Sequence, residues 1–459
     1  MDSTKQTALG TEPVGPLLLK LAIPTITAQL VSVLYNMVDR MYIGHIPDVG
    51  ANALTGVGVC LPIIVIASSF AALTAFGGAP RASIFMGKNE NDTAEKILGS
   101  CAVAVTAAGL VITAVFLIWG RDFLTLFGAS ENTIGYGWDY MRIYAYGTVF
   151  VLITLGLNTF ITAQGYTMIS MLSVIIGAVA NIILDPIFIF GFDWGVKGAA
   201  LATVISQFLS AVWVLKFLFG KKTILRIKKE NLKLDGKIYL PCVALGLSPF
   251  VMQSTEGLIT ICFNFSLLKY GGDMAVGAMT ILSSIMQMSM LPLTGLSQGT
   301  QPIISFNFGA GNYDRVKKAF FLLLKASMIY ALFIWLLSVI TPNLLVSIFT
   351  SDAALKEYSS HVLRIYMASS LLFGVQISCQ QTFLALGNAK TSLFLAALRK
   401  LILLIPLIFI LPAFMAQKDI AVFMAEPVAD LLAVITTAAL FFRYFRKTIY
   451  KKRCDFYVI

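Results

Sequence analysis

Five carboxylates stand inside long apolar stretches of this chain: Asp39, Asp185, Glu256, Glu426 and Asp430. A bare carboxylate in hydrocarbon is costly, so an acid kept there faces a water-filled cavity, carries a proton or ion, or balances a cationic ligand. Asn36 and Asp39 are i and i+3, and Asn181 and Asp185 are i and i+4, so on helices each amide shares a face with its acid. A carboxylate with a neighbouring amide oxygen suits a hard cation, which makes Asp39, Asn181 and Asp185 a candidate sodium site. The same carboxylate, stripped of water, has a raised proton affinity and can carry a proton instead. Glu426 and Asp430, i and i+4 around Pro427, form a second acidic pair. Like charges this close disfavour joint ionisation unless a cation sits between them. The bland reading of each pair is a hydrogen-bonded group that fixes one helix against another.

Glu256 lies in SPFVMQSTEGLITICFNF beside Gln253, Ser254 and Thr255, with no Lys or Arg in that stretch. It is therefore expected to stand alone as a counter-charge for a cationic ligand. Further candidate contacts are Tyr35, whose ring can stack on a cation, and Met286, Gln287 and Met290, since flexible thioethers suit promiscuous apolar contacts. Met288 alternates with them, and alternate positions do not share a helical face, so ordinary packing explains the methionines equally well. Pro24 and Pro186 each remove a backbone donor and are candidate hinges, or plain kinks.

Helices must carry these residues across a membrane. The chain is 58% hydrophobic and 12% charged, against about 25% charged in globular proteins, and its mean hydropathy is +0.83 over 459 residues. That composition demands many spans of roughly 20 apolar residues, and breaks in it predict twelve, the first near 16–44 and the last near 420–445. The net charge of +11 concentrates at 221–237 and 443–453, beside apolar spans. With both termini and the 220–237 loop inside, most of the 34 Lys and Arg fall on the inner side. The charge thus reads as membrane topology rather than nucleic-acid binding. The polar start, MDSTKQTALGTEP, is expected to be no removable signal peptide. Six cysteines without CxxC spacing and two histidines suggest neither a disulfide framework nor a resident metal.

The halves repeat. At one constant offset Pro80 meets Pro302, Gly87 meets Gly309, Asp92 meets Asp314, Arg142 and Tyr144 meet Arg364 and Tyr366, and Gly165 meets Gly387. An even number of spans per half makes both halves enter from the same side, so they should be related by an axis along the membrane normal, with the substrate site between them. The expected division is a six-helix lobe over 1–219, a basic linker over 220–237 and a second six-helix lobe over 238–459, all-α throughout.

These residues carry a family resemblance. PTITAQLVSVLYNMVDRMYIG from Pro24, PRASIFMG from Pro80, QGTQPIISFNFGA from Gln298, NIILDPIFIFGFDWGVKGAALATVISQ from Asn181 and AEPVAD from Ala425 stand in the order and spacing of a multidrug and toxic compound extrusion (MATE) transporter. Over essentially its whole length the chain resembles that family, and within it the bacterial multidrug efflux branch. The resemblance implies a V-shaped cleft between two lobes and export of cationic lipophilic compounds in exchange for protons or sodium. It also implies a coupling site at Asp39, Asn36, Asn181 and Asp185, and a helix 1 that bends at Pro24 with protonation. The sodium-coupled branch pairs a glutamate at position 256 with an aspartate on helix 10. Here that helix reads VQISCQQTFLALG, with Gln376, Gln380 and Gln381 and no acid.

No G-x-x-x-x-G-K-[ST] occurs, and Gly220-Lys221-Lys222-Thr223 lacks the upstream glycine, so no ATP site and no cofactor are expected. Acidic rather than basic cleft candidates favour cationic cargo over the lipid-linked polyanions of a flippase from the same superfamily. No loop is long enough to house a membrane-embedded enzyme, and asymmetric acids in pseudo-equivalent lobes argue against a channel. The expectation is a monomeric antiporter of the plasma membrane with both termini cytoplasmic.

Overall fold

A computed structural model of the chain describes residues 8–450. Residues 1–7 of the polar start, together with Lys451, Lys452, Arg453 and Cys454, lie outside the described residues. Among the described residues the chain is helical and contains no strand. The crossing helices are α1 (Val14–Gly44), α2 (Gly50–Gly87), α3 (Asn91–Leu126), α4 (Ile134–Ala163), α5 (Thr167–Gly191) and α6 (Gly195–Phe219) in the first half. The second half begins with a continuous helix, Gly236–Gly309, of 74 residues. At 1.5 Å per residue such a helix would be about 110 Å long, several times a bilayer core. It folds back at Gly272, whose φ of 64° and ψ of −161° only glycine adopts freely, and so supplies two spans, α7 (236–271) and α8 (273–309). There follow α9 (Tyr313–Ile340), α10 (Ala353–Tyr366 and Ser370–Ala385, bent by 44° at their break), α11 (Ala389–Ala413) and α12 (Lys418–Ile449). The twelve spans expected from hydropathy are all present.

The first half is built by α1 packing on α5, α5 on α6, α6 on α4, and α4 on α2 and α3. The repeat seen in the sequence reappears as local geometry. Gly165 ends α4 and Gly387 ends α10 with φ of 84° and 74°. In both, the next amide reaches back five residues, Tyr166 N to Ile161 O at 3.1 Å and Asn388 N to Phe383 O at 3.0 Å. This is one helix-terminating motif used twice.

The halves meet at the end that carries the linker. A Cβ on Gly87 would lie 2.0 Å from the Phe306 carbonyl oxygen, and one on Gly309 1.9 Å from that of Ile84. Each glycine admits the backbone of the partner helix, and the two contacts are related by the repeat. Likewise Gly77 of α2 abuts Cys242 and Gly246 of α7, and Gly295 and Gly299 of α8 abut Ile26 and Ala22 of α1. Polar bonds fasten the same region: Thr25 Oγ1 donates to Gly295 O at 2.6 Å and Gln29 Nε2 to Gln298 Oε1 at 3.0 Å. The segment before α1 is strapped across the seam, since Asn307 Nδ2 donates to Leu9 O and Arg315 donates to Leu9 O and Glu12 O. Away from this end the second half keeps its own apolar core, around Phe263, Leu282, Leu363 and Phe423.

The 220–237 linker is fixed to the first half. Gln164 Oε1 accepts from Thr223 Oγ1, Ile224 N and Leu225 N, all within 2.9 Å. Glu95 accepts from Arg226 N and pairs with Lys228.

Candidate functional site

Two cavities lie away from the seam, one in each half. The first, about 160 Å³, is lined by Tyr35, Asn36, Asp39 and Arg40 of α1, Tyr140 and Tyr144 of α4, and Thr203 and Gln207 of α6. Behind it, on α5, Asn181 and Asp185 are 1% and 0% exposed. Their i and i+4 spacing brings them together as the sequence implies: Asn181 Nδ2 donates to Asp185 Oδ1 at 3.2 Å. The Asp39 and Asp185 carboxyls interact side chain to side chain, which closes α1 onto α5. Asn36 is exposed at the cavity and donates to Ser32 O at 2.6 Å. Three buried oxygens here, Asp39 Oδ1, Asn181 Oδ1 and Asp185 Oδ2, have no hydrogen-bond partner. Unpaired buried acceptors are expensive, and two carboxylates in contact cannot both be ionised in a dry site without a cation or proton between them. The arrangement is chemically suited to hold one positive charge.

Pro24 lies inside an α1 that runs unbroken from Val14 to Gly44. Pro186 ends the regular part of α5, where a wider π-helical turn over Ile187–Gly191 takes over.

The second cavity, about 550 Å³, brings together Glu256 of α7, Met286, Gln287 and Met290 of α8, Tyr366 and Gln381 of α10, Arg399 and Lys400 of α11 and Glu426 of α12. Met286 and Met290 share a face toward the cavity, while Met288 is 55% exposed elsewhere. Tyr35 lines the first cavity, and Gln253 is not among the residues lining either. The repeat-related pair Tyr144 and Tyr366 lines one cavity each.

The expectation that Glu256 stands free of basic neighbours does not hold. Lys400 Nζ donates to Glu256 Oε1 at 2.8 Å. The second acidic pair is also bridged by a cation, because Arg399 Nε meets Asp430 Oδ1 at 2.6 Å and Arg399 Nη2 meets Glu426 Oε1 at 3.3 Å. Ser369 Oγ donates to the other Asp430 oxygen at 2.9 Å, and the Arg399 guanidinium lies 5.9 Å from the Phe373 ring centre. Both basic residues belong to the π-helical segment Leu398–Leu404 inside α11. Sequence reasoning missed them because they are distant in the chain from every acid they serve. The available signal was two adjacent cations within an apolar span, the kind of intramembrane charge that needs a partner.

Comparison with known proteins agrees with this architecture. The MatE family model matches residues 24–187 and again 248–410, once in each half. The chain is similar to the multidrug export protein MepA of Staphylococcus aureus strain N315, with 26% identity over 428 residues, covering 92% of this chain and 93% of that one. It is similar to the solved MATE multidrug transporter DinF-BH, crystallised as a complex, with 32% identity, a TM-score of 0.88, and 96% and 98% of the two chains covered. A MATE protein crystallised in a bent conformation shares the fold at a TM-score of 0.90 with 20% identity, covering 97% and 98%. Twelve spans in two repeated lobes, an acid pair shared by α1 and α5, and a family model that fits each half place this chain in the MATE family of multi-pass membrane transporters.

Proposed function

We propose that this transporter is a multidrug efflux antiporter of the plasma membrane that exports cationic lipophilic compounds in exchange for protons or sodium. It is a membrane transporter and not an enzyme. The observation that carries the reading is the contact between Asp39 and Asp185 with three unpartnered buried oxygens around it. One positive charge satisfies that cluster, whether a proton or a sodium ion held by Asp39, Asn181 and Asp185, and the charge arrives and leaves as α1 moves on α5. The energy comes from an ion gradient, each charge contributing about 2.3 kcal/mol per 100 mV. The likeness to proteins named for multidrug export and multidrug transport supports small organic molecules as cargo, and the acids lining both cavities support a positive charge on them.

The lobes 1–219 and 238–459, joined by 220–237, alternate in which end they close, with Pro24 and Pro186 absorbing the bending. Glu256, Met286, Gln287 and Met290 take the cargo in the second cavity, with an acid for charge and thioethers for shape. The termini and the linker face the cytoplasm under the positive-inside pattern, and the working unit is the monomer.

The test is uptake of a fluorescent organic cation into proteoliposomes under separately imposed proton and sodium gradients. Gradient-dependent movement is expected with at least one ion. Movement indifferent to both gradients would sink the antiport reading.

A further inference from the structure

The second cavity holds three carboxylates against two built-in cations. Glu256 and Glu426 line it with Arg399 and Lys400, and Asp430 stands behind on α12. Arg399 is committed to Asp430 at 2.6 Å and reaches Glu426 only at 3.3 Å. Lys400 is 7% exposed, yet its partner Glu256 is 56% exposed toward the cavity. A buried ammonium whose acid lies open to the ligand space is an unusual division, since either group is costly to leave unpaired.

We propose that Lys400 is a tethered cation seated where the positive charge of a substrate binds, so that a substrate takes Glu256 by displacing the Lys400 ammonium onto Glu426. The inference rests on the second cavity being a substrate site. Glu426 is the acceptor with room, because its bond to Arg399 is the longer of the pair, and it interacts electrostatically with Lys400 already. The four-carbon stem of lysine lets a point charge swing between two acids, which a planar guanidinium does less readily. With all five groups ionised the cluster carries one net negative charge, so one monovalent cation completes its balance.

The consequence is selectivity. A tethered competitor acts at a high effective concentration, on the order of millimolar or more for short flexible tethers. A small ion such as sodium offers only its charge and loses. A lipophilic cation adds apolar burial against Met286, Met290 and Phe263, which line the same cavity, and wins.

The test is equilibrium binding of tetraphenylphosphonium to the purified full chain, with and without sodium as competitor. Lys400→Met is expected to bind the probe about tenfold more tightly than the unaltered chain, and sodium, without effect before, now competes. Lys400→Arg keeps the charge and shows no such gain. Adding Glu256→Gln to Lys400→Met removes the gain, because the freed acid is what the probe finds. Lys400→Gln, which keeps a hydrogen-bonding group beside Glu256, gives a smaller gain in the same direction. Equal or weaker binding by folded Lys400→Met, or failure of both neutral variants to fold, would mean that Lys400 is structural and would overturn the proposal. Efflux of the same probe by the unaltered chain in proteoliposomes is read in parallel. Efflux without the affinity gain sinks only the role of Lys400, whereas the gain without efflux sinks only the export reading.

Discussion

At the scale of single residues, charge is stored in two ways. In the first lobe Asp39 and Asp185 touch with no basic group between them in the bonds the structure shows, so the charge that balances them comes from outside. Asp39→Asn and Asp185→Asn keep volume but lose the titratable group. Each is expected to abolish gradient-driven efflux while leaving membrane insertion intact, and rates like those of the unaltered chain in both variants would refute the coupling role. In the second lobe the balancing charge is built in. Arg399→Leu strands Glu426 and Asp430, each 2% exposed, and removing one partner of a buried ionic cluster costs about 3–5 kcal/mol. Thermal unfolding in detergent should show the loss, and adding Glu426→Gln and Asp430→Asn should recover most of it. An unchanged midpoint in Arg399→Leu would count against a buried network. Glu256→Gln is expected to weaken transport of permanently cationic compounds more than that of neutral ones, and equal effects on both would remove its counter-charge role.

At the scale of helices, the seam between lobes depends on the absence of side chains. Gly87 and Gly309 each admit a carbonyl from the opposing helix. Gly309→Ala places a methyl group 1.9 Å from the Ile84 oxygen, closer than backbone atoms can yield without parting the helices. The variant is expected to disfavour closure at the linker end. A cysteine introduced at Gln298, which bonds to Gln29 across the seam, should then react faster with a membrane-impermeant maleimide. Labelling at the rate seen without the alanine would show that the seam tolerates the methyl group. The matching of Gly87 to Gly309 was legible in the sequence as a repeat. That the two glycines meet each other's helices was not, because an offset within a chain says nothing of which repeated elements touch.

At the scale of the whole molecule, contact at the linker end and separate cavities beyond it describe one of two states that an alternating-access cycle requires. In the other state the opposite ends approach. Cysteines at Gly44, ending α1, and Lys269, ending α7, are expected to cross-link only in that state, in a background without the native Cys60, Cys101, Cys242, Cys262, Cys379 and Cys454. Cross-linking should stop transport and reduction should restore it. Full transport with these ends locked would exclude alternating access and revive a channel.

The sequence by itself determined the class of molecule. Apolar runs of bilayer length, basic residues at their ends and a constant offset between Gly, Pro, Asp and Arg positions are local or periodic signals, and a membrane leaves the backbone few ways to obey them. It also determined the Asn181 and Asp185 pair, because helical periodicity decides neighbours four residues apart. Only the tertiary structure decided which acids stand alone and which are paired. Lys400 lies far along the chain from Glu256, and Arg399 sits on α11 while its partners sit on α12. Their inward aim comes from a π-helical stretch that departs from the regular turn. Ion pairs form through space, and the rotation of one helix against another is set by packing at a seam that no single stretch of sequence contains.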